Sequence, residues 1–437
     1  MPTPSPSPAA KLSSFVMMAL LLASTTLVSA ARLHAQTEST IYNFGPTVPY
    51  SPAAGLVSDA AGNLYGVTTG HDGVVYKLSQ VSGAWQVTIL YNFTGGADGG
   101  NPLSTPIFDS AGNLYGTAEF GGDFTGPNCS IGCGVVYKLT PTSSGEWQET
   151  VLYAFTGGKD GGYPTSGNLV FDKAGNLFGS NVADGVLSTQ ACSNTGGCGV
   201  IFRLSPSASG NWNFKVIHAF FGGWDGVGPA QLIFDSKGNF FGSAAGAWSG
   251  FELPSEPGLV FRLTPTTSGP WTDSVVYAFK GSTDGGLPSA LTFDSAGNIY
   301  GAGADGGILN NCWSGYGPEG CGVVFRISHV GGKWVENTLY AFSGGSDGSQ
   351  PNGGLVWDNG SLYGTTWSGG GSGGGEGVVY QLTPAPGEQW TERVVQEFTG
   401  TNGGIPLSPL LVSGGNIFGT TQSGGANGYG VAFEITP

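Results

Sequence analysis

Charge is scarce in this sequence. Of 437 residues only 10% are ionised, with 14 Lys or Arg against 29 Asp or Glu. A formal charge of −15 and the lack of grouped cations argue against nucleic acid as a partner, since phosphate binding needs clustered Lys and Arg. Histidine is almost missing. His34 falls in the leader, and His71, His218 and His329 share no motif. No G-x-S-x-G elbow, H-E-x-x-H, phosphate loop or dinucleotide fingerprint occurs, so no reaction is legible. A hydrolase or lyase for carbohydrate would need only two suitably spaced carboxylates and stays open as the alternative to a binding protein. Beyond the leader no run is long and apolar enough to cross a bilayer as a helix.

Glycine and aromatics are plentiful instead: 80 Gly, 26 Pro and 12% Phe, Trp or Tyr. Disordered chains are rich in charge and poor in aromatics, so this balance indicates a packed core with many tight turns. Residues 1–35 read as a signal peptide. Lys11 precedes "FVMMALLLASTTLV", and small-residue cleavage sites end at Ala30 and Ala35. An uncleaved N-terminal anchor is the alternative. Residues 36–437 are expected to form one domain that works as a monomer, secreted, periplasmic or at the cell surface.

The octet "DSAGNLYG" at 109–116 recurs in seven copies, whose last glycines are Gly66, Gly116, Gly179, Gly242, Gly301, Gly364 and Gly419. Each copy is followed by a "GVVYKL"-like run and, in all but the last unit, then by a run such as "VLYAF". Every unit thus offers four short strands, rich in β-branched and aromatic residues and bounded by turn residues. The Asp-x-x-Gly-Asn link reads as the first hairpin of each unit, with Asp bonding backbone amides and Gly supplying positive φ. Seven four-stranded units imply an all-β fold, a seven-bladed β-propeller. The first strand, "TIYNF", is a fourth-type strand without a blade, and the last unit stops after its third strand. The N-terminal strand is therefore expected to complete the last blade and close the ring, protecting edges that an open solenoid, the rival architecture, would expose.

The units "AGNLYGTAEFGG…GCGVVYKLTP…WQETVLYAFTGGKDGG" resemble the glycine-rich tandem repeat called GloVer, found in exported bacterial proteins, over nearly all of residues 40–437. That resemblance implies a secreted repeat protein and no defined molecular activity. Some such proteins carry a C-terminal sorting tail, of which "AFEITP" shows no trace. "FDSAGNLYG" is also similar to the blade turns of NHL and related propellers.

Three further patterns carry expectations. Strand three places Lys77, Lys138, Arg203, Arg262 and Arg326, then Gln381 and Glu434, at one position, and strand one ends in Asp59, Asp109, Asp172, Asp235, Asp294 and Asp358, then Ser413. The two positions lie about 9–10 Å apart across strand two, within reach of a long cation. Structural ion pairs are expected, against independently solvated charges. The cysteines fall in local pairs, Cys129 with Cys133, Cys192 with Cys198 and Cys312 with Cys321, read as disulfides that stiffen loops in an oxidising compartment. The strand-four to strand-one links place Asp98, Asp160, Asp225, Asp284 and Asp347 around one rim. There they could bind calcium or simply form Asp-Gly turns; no other cofactor is implied.

The strand-two to strand-three links share that face. Six tryptophans begin fourth strands, and Trp357 sits in a first strand. The other four, Trp224, Trp248, Trp313 and Trp367, fall in loops on this face, with Tyr316, Glu252, Asp305 and Glu319 nearby in sequence. Flat aromatics beside carboxylates suit a glycan or an extracellular protein ligand, or local packing over the loops.

Overall fold

In the computed structural model the repeated aspartate is the hub of a tight turn. The structure describes residues 37–436 apart from 47–50, 127–128, 165–167, 186–191, 193–196, 246–256, 267–269, 310–311, 313–319 and 372–374. Residues 1–35, read as the signal peptide, lie outside them. Asp59 accepts the amides of Ala61 and Asn63, the Asn63 side chain and the Tyr65 hydroxyl. Asp109 and Asp294 repeat all four bonds, and Asp172 and Asp235 repeat the first three beside a Phe. Burial works against the charge on Asp59, Asp109 and Asp294, yet these donors hold each carboxyl below its usual range.

The turns join the two inner strands of seven antiparallel four-stranded blades, so the chain is a seven-bladed β-propeller. Blade one, for example, contains Val57–Ser58, Leu64–Thr68, Val74–Val81 and Ala84–Asn92 in that order from the axis outwards. The seventh comprises Leu411–Ser413, Asn416–Thr421 and Val431–Thr436, and the N-terminal strand Thr37–Asn43 adds to its outer edge as expected. In blade two the innermost strand is split into Gly100–Pro102 and Ile107–Phe108, both paired with Leu114–Phe120. No helix among the described residues is long and apolar enough to cross a membrane.

The final glycine of each motif has a packing reason. Gly66, Gly116 and Gly364 pair across to Tyr76, Tyr137 and Tyr380, and Gly179, Gly242, Gly301 and Gly419 to Phe202, Phe261, Phe325 and Phe433. The partner ring lies flat over the glycine: a Cβ on Gly179, Gly242 or Gly301 would sit 2.5 Å from Cζ. The same ring meets the Phe that ends the outer strand of the preceding blade. These edge-on or tilted pairs have centroids 5.2 Å apart for Phe44–Tyr76, 5.0 Å for Phe93–Tyr137 and 4.9 Å for Phe279–Phe325. The pair recurs at every one of the seven junctions, and each contributes about 0.5–1.5 kcal/mol beyond its buried area. A second contact wedges the strand-four Trp of one blade against the strand-two aromatic of the blade before, as in Tyr65–Trp147 and Tyr115–Trp212.

A third contact is a backbone latch. Each third strand is preceded by a glycine at positive φ, against which the next blade's proline is pressed: Pro102 on Gly73, Pro164 on Gly134, Pro351 on Gly322. The residue before the proline donates its N–H to the carbonyl before that glycine. In three junctions the acceptor is a disulfide cysteine: Tyr163 to Cys133 (2.9 Å), Gly228 to Cys198 (3.0 Å) and Gln350 to Cys321 (2.8 Å). All three cysteine pairs are disulfides, spanning 4, 6 and 9 residues. Loops this short gain modestly from closure entropy. Their structural effect is to fix the carbonyl that holds the neighbouring blade.

The expected ion pairs do not form. None of these cations meets its strand-one aspartate within 4.0 Å, and Arg326 instead lies 3.6 Å from Glu388. The strand-two tyrosine takes the space between: Lys77 and Lys138 lie 5.7 Å over the rings of Tyr65 and Tyr115, whose hydroxyls donate to Asp59 and Asp109.

The hydroxyls of Tyr76, Tyr137 and Tyr380 are buried with no hydrogen-bond partner among the described residues. Four other blades carry Phe there. An unpartnered buried hydroxyl costs about 1–3 kcal/mol. Tyr137→Phe is therefore expected to preserve or raise the unfolding free energy, whereas Gly116→Ala lowers it by about 1–3 kcal/mol through overpacking. Urea titration followed by tryptophan fluorescence reads both. A clear loss in Tyr137→Phe would mean that the hydroxyl is bonded, for instance to a buried water.

Candidate functional site

Antiparallel order puts the links from strand two to strand three, and from each blade to the next, at one end of the propeller. This loop face is distinct in two ways. Of the thirteen exposed large hydrophobic side chains among the described residues, nine lie on it: Phe124, Ile131, Phe221, Trp224, Leu287, Ile308, Leu309, Trp367 and Tyr429. Its described links also carry nine acids, Asp72, Asp98, Asp123, Asp160, Asp184, Asp225, Asp284, Asp347 and Glu376, against Lys159 and Lys280. An apolar, anionic surface repels phosphate and sulfate and accepts neutral or cationic ligands.

Of the eight ligand-binding residues expected from the sequence, Trp224, Trp367 and Asp305 are among the described residues. Trp224 stands 68% exposed where the chain enters blade four, over a shallow cleft shared with His218, Asp225, Phe261 and Asp273. Trp367, expected in a loop, is instead part of the second strand of blade six, Ser361–Ser368, and is 45% exposed. Asp305 likewise ends a strand, Ile299–Asp305 of blade five. Strand propagation past the expected loop start explains both. Trp248, Trp313, Tyr316, Glu252 and Glu319 lie outside the described residues.

The rim aspartates form link turns. Asp160 accepts the Tyr153 hydroxyl (2.9 Å), the Thr156 amide (2.8 Å), the Thr156 hydroxyl (2.6 Å) and the Gly158 amide (3.3 Å). Asp98, Asp284 and Asp347 are held in the same manner by Tyr91, Tyr277 and Tyr340 and by link amides. At Asp225 the tyrosine is replaced by His218, whose Nε2 lies 3.6 Å from the carboxylate. Calcium, the alternative to Asp-Gly turns at these acids, would meet oxygens already engaged by protein donors. Among the described residues no three His, Cys, Asp or Glu side chains converge as metal ligands.

At three junctions a glutamate on the outer strand of the next blade faces this turn: Glu149 beside Asp98, Glu336 beside Asp284 and Glu392 beside Asp347. Burial, and then the neighbouring carboxylate, pushes Glu149 and Glu392 up to about 7. Glu336 also reaches about 7, through burial and Asp284 against an opposing bond from Thr338. Elsewhere the position is altered: Glu38 faces Asn402, and Phe214 stacks on Tyr153 at 4.0 Å.

One set of residues escaped the sequence reading. The latch residue that precedes each docking proline has positive φ in every unit: Ser51, Asn101, Tyr163, Gly228, Leu287, Gln350 and Ile405. The recurring x-Pro of "GGNP", "GGYP" and "GGIP" was its only trace in the sequence. These residues stand at the loop-face ends of the innermost strands, around the axis. Toward the opposite end, beside the aspartate turns, the innermost strands of blades two to five bound an open space of about 560 Å³ lined by Phe108, Phe171, Phe234, Phe293 and aliphatic neighbours.

Comparison with solved structures gives the fold alone. A structure described as the extracellular domain of a one component system from B. thetaiotaomicron matches at 12% identity and a TM-score of 0.52, over 91% of this chain and 41% of that one. The chain therefore spans about two fifths of that protein's length. PorZ, a surface component of the type-IX secretion system of Porphyromonas gingivalis, matches at 13% identity and TM-score 0.48, over 87% and 46%. A gluconolactonase from Xanthomonas campestris gives 14% and 0.41, over 91% and 99%. No curated protein matches in sequence. The family model described as the Gloeobacter/Verrucomicrobia repeat matches residues 26–189, 69–314 and 304–437.

The three acid pairs set a pH dependence. Folding raises the affinity of Glu149, Glu336 and Glu392 for protons from the ordinary value of 4.5 to about 7. Their contribution is full below pH 4.5 and is lost as pH rises through 7. The thermal midpoint is expected to rise by a few degrees from pH 8 to pH 5.5. Glu149→Gln combined with Glu336→Gln and Glu392→Gln should flatten that slope in calorimetry. An unchanged slope in the triple variant would assign it to other groups.

Proposed function

Because the chain belongs to the Gloeobacter/Verrucomicrobia repeat family, we propose that it is an exported binding module whose loop face takes a glycan or a protein. The observation that carries this reading is the gathering of exposed aromatic and aliphatic side chains at one end of an otherwise well-sealed ring. Isolated exposed apolar residues are ordinary, but nine on one face among acids mark a contact surface. Three disulfides and an apolar leader support an oxidising location, secreted, periplasmic or at the cell surface. Trp224 and Trp367 are rigid, amphipathic anchors open to solvent, the residue type that dominates both sugar stacking and protein contact.

The test is a glycan array and a parallel pull-down with the mature chain, repeated with Trp224→Ala and Trp367→Ala. At least one substitution should weaken capture roughly tenfold. The thermal midpoint should not move, because neither ring is buried. Release of reducing ends from a polysaccharide would instead favour the carbohydrate-active hydrolase or lyase. Capture indifferent to both substitutions would remove the aromatic surface from the ligand site.

A further inference from the structure

From the latch geometry we infer that the residues preceding the docking prolines form a ligand-reading ring at the mouth of the propeller, and that the ligand is an uncharged saccharide. The inference rests on the binding-module reading and deepens it. Positive φ disfavours any residue with a Cβ, and most of all a β-branched one. Ser51 (φ 67°), Asn101 (56°), Tyr163 (55°), Leu287 (47°), Gln350 (55°) and Ile405 (57°) all adopt it. The architecture does not require a side chain there. Blade four has Gly228 (φ 57°) at the same place, and Gly228 still donates the latch bond to Cys198 and precedes a docking proline, Pro229. Six blades therefore retain strained side chains where glycine would serve the fold better. Selection for a displayed surface accounts for that; blade docking does not.

Exposure agrees. In Gly100–Pro102, Gly286–Pro288 and Ser349–Pro351 the flanking residues are buried and the middle one less so: Asn101 and Gln350 are half-buried and Leu287 is 41% exposed. The ring is thus a set of unlike side chains on seven identical backbone mounts. None of the seven is charged, which argues against a cationic peptide as the occupant despite the acids farther out. Two amides, a hydroxyl, a phenol and two aliphatic groups match a ligand with many hydroxyls and apolar ring faces. The polar sector is best developed at blades two and three. There the Asn101 amide donates to Glu119, Tyr163 meets Phe120 edge-on at 6.4 Å, and Glu119 and Asp184 lie close enough to raise the Tyr163 phenol further after burial. An aromatic face beside a carboxylate and an amide can stack one sugar ring while taking its hydroxyl protons.

The experiment replaces Asn101, Tyr163 and Gln350 singly by Gly, the residue blade four already carries, and measures binding to an array of uncharged oligosaccharides alongside the thermal midpoint. Relief of strain should keep the midpoint level or raise it, while binding falls roughly tenfold or more in Asn101→Gly and Tyr163→Gly. Tyr163→Gly also loses packing on Phe120, and Asn101→Gly loses the bond to Glu119, so Gln350→Gly serves as the variant without either contact. Saccharide binding that survives all three but disappears in Trp224→Ala or Trp367→Ala overturns the ring and leaves the module standing. A lowered midpoint with unchanged binding overturns it too, by making the side chains structural. If the intact chain takes only a basic peptide, the saccharide assignment fails; if it binds nothing, the module reading falls with it.

Discussion

Everything in this molecule depends on a proline pressed onto a glycine. The glycine before each third strand has positive φ, so no Cβ stands between it and the next blade, and the proline of that blade fills the space. Its neighbour's N–H then reaches the carbonyl just upstream. Lateral spacing between blades is set here by covalent geometry, which is stiff, rather than by side-chain packing, which is adaptable. The aromatic pairs and the Trp wedges fill what the latch leaves, and the disulfides hold its acceptor in three of seven positions.

Much of the fold could be read from the letters because it is periodic. Seven copies of one octet, three strand signatures and an orphan strand at the start suffice for blade number and closure. What failed did so through geometry that spacing cannot show. Asp59 and Lys77 do lie one strand apart, yet the interposed Tyr65 takes both partners, one by its hydroxyl and the other by its ring. A count of strands gives lateral distance without saying what occupies it. The surface was legible in part. Trp224 and Trp367 were found as unpaired aromatics. The latch residues were not, because they differ in every unit. A residue before proline is also expected to be extended rather than left-handed. Their common feature is a torsion angle, and no composition rule reveals it.

Departures from the repeat cluster where symmetry is broken for a reason. The last blade lacks the turn aspartate, having Ser413, and its third strand carries Glu434, which accepts from Asn416. Ser413 bonds Ser58 of the first blade across the closing junction. In blade three a histidine replaces the tyrosine of the link turn, so one of the five aspartate link turns carries an imidazole beside a carboxylate and an exposed indole. Such substitutions leave the backbone in place and change the side-chain bonds made within and between blades.

The closing strand has a kinetic consequence. Asn43 and Phe44 bond residues 383 positions later, so the earliest strand to leave the ribosome pairs with nearly the last. Until the final blade exists, that strand has no partner for its backbone and remains an open template edge, while the first blade leaves the apolar face of its unfilled junction uncovered. A polypeptide made start-first therefore keeps its clasp undone until its last blade is in place, and ring closure waits on the end of the chain's own synthesis no less than on its folding.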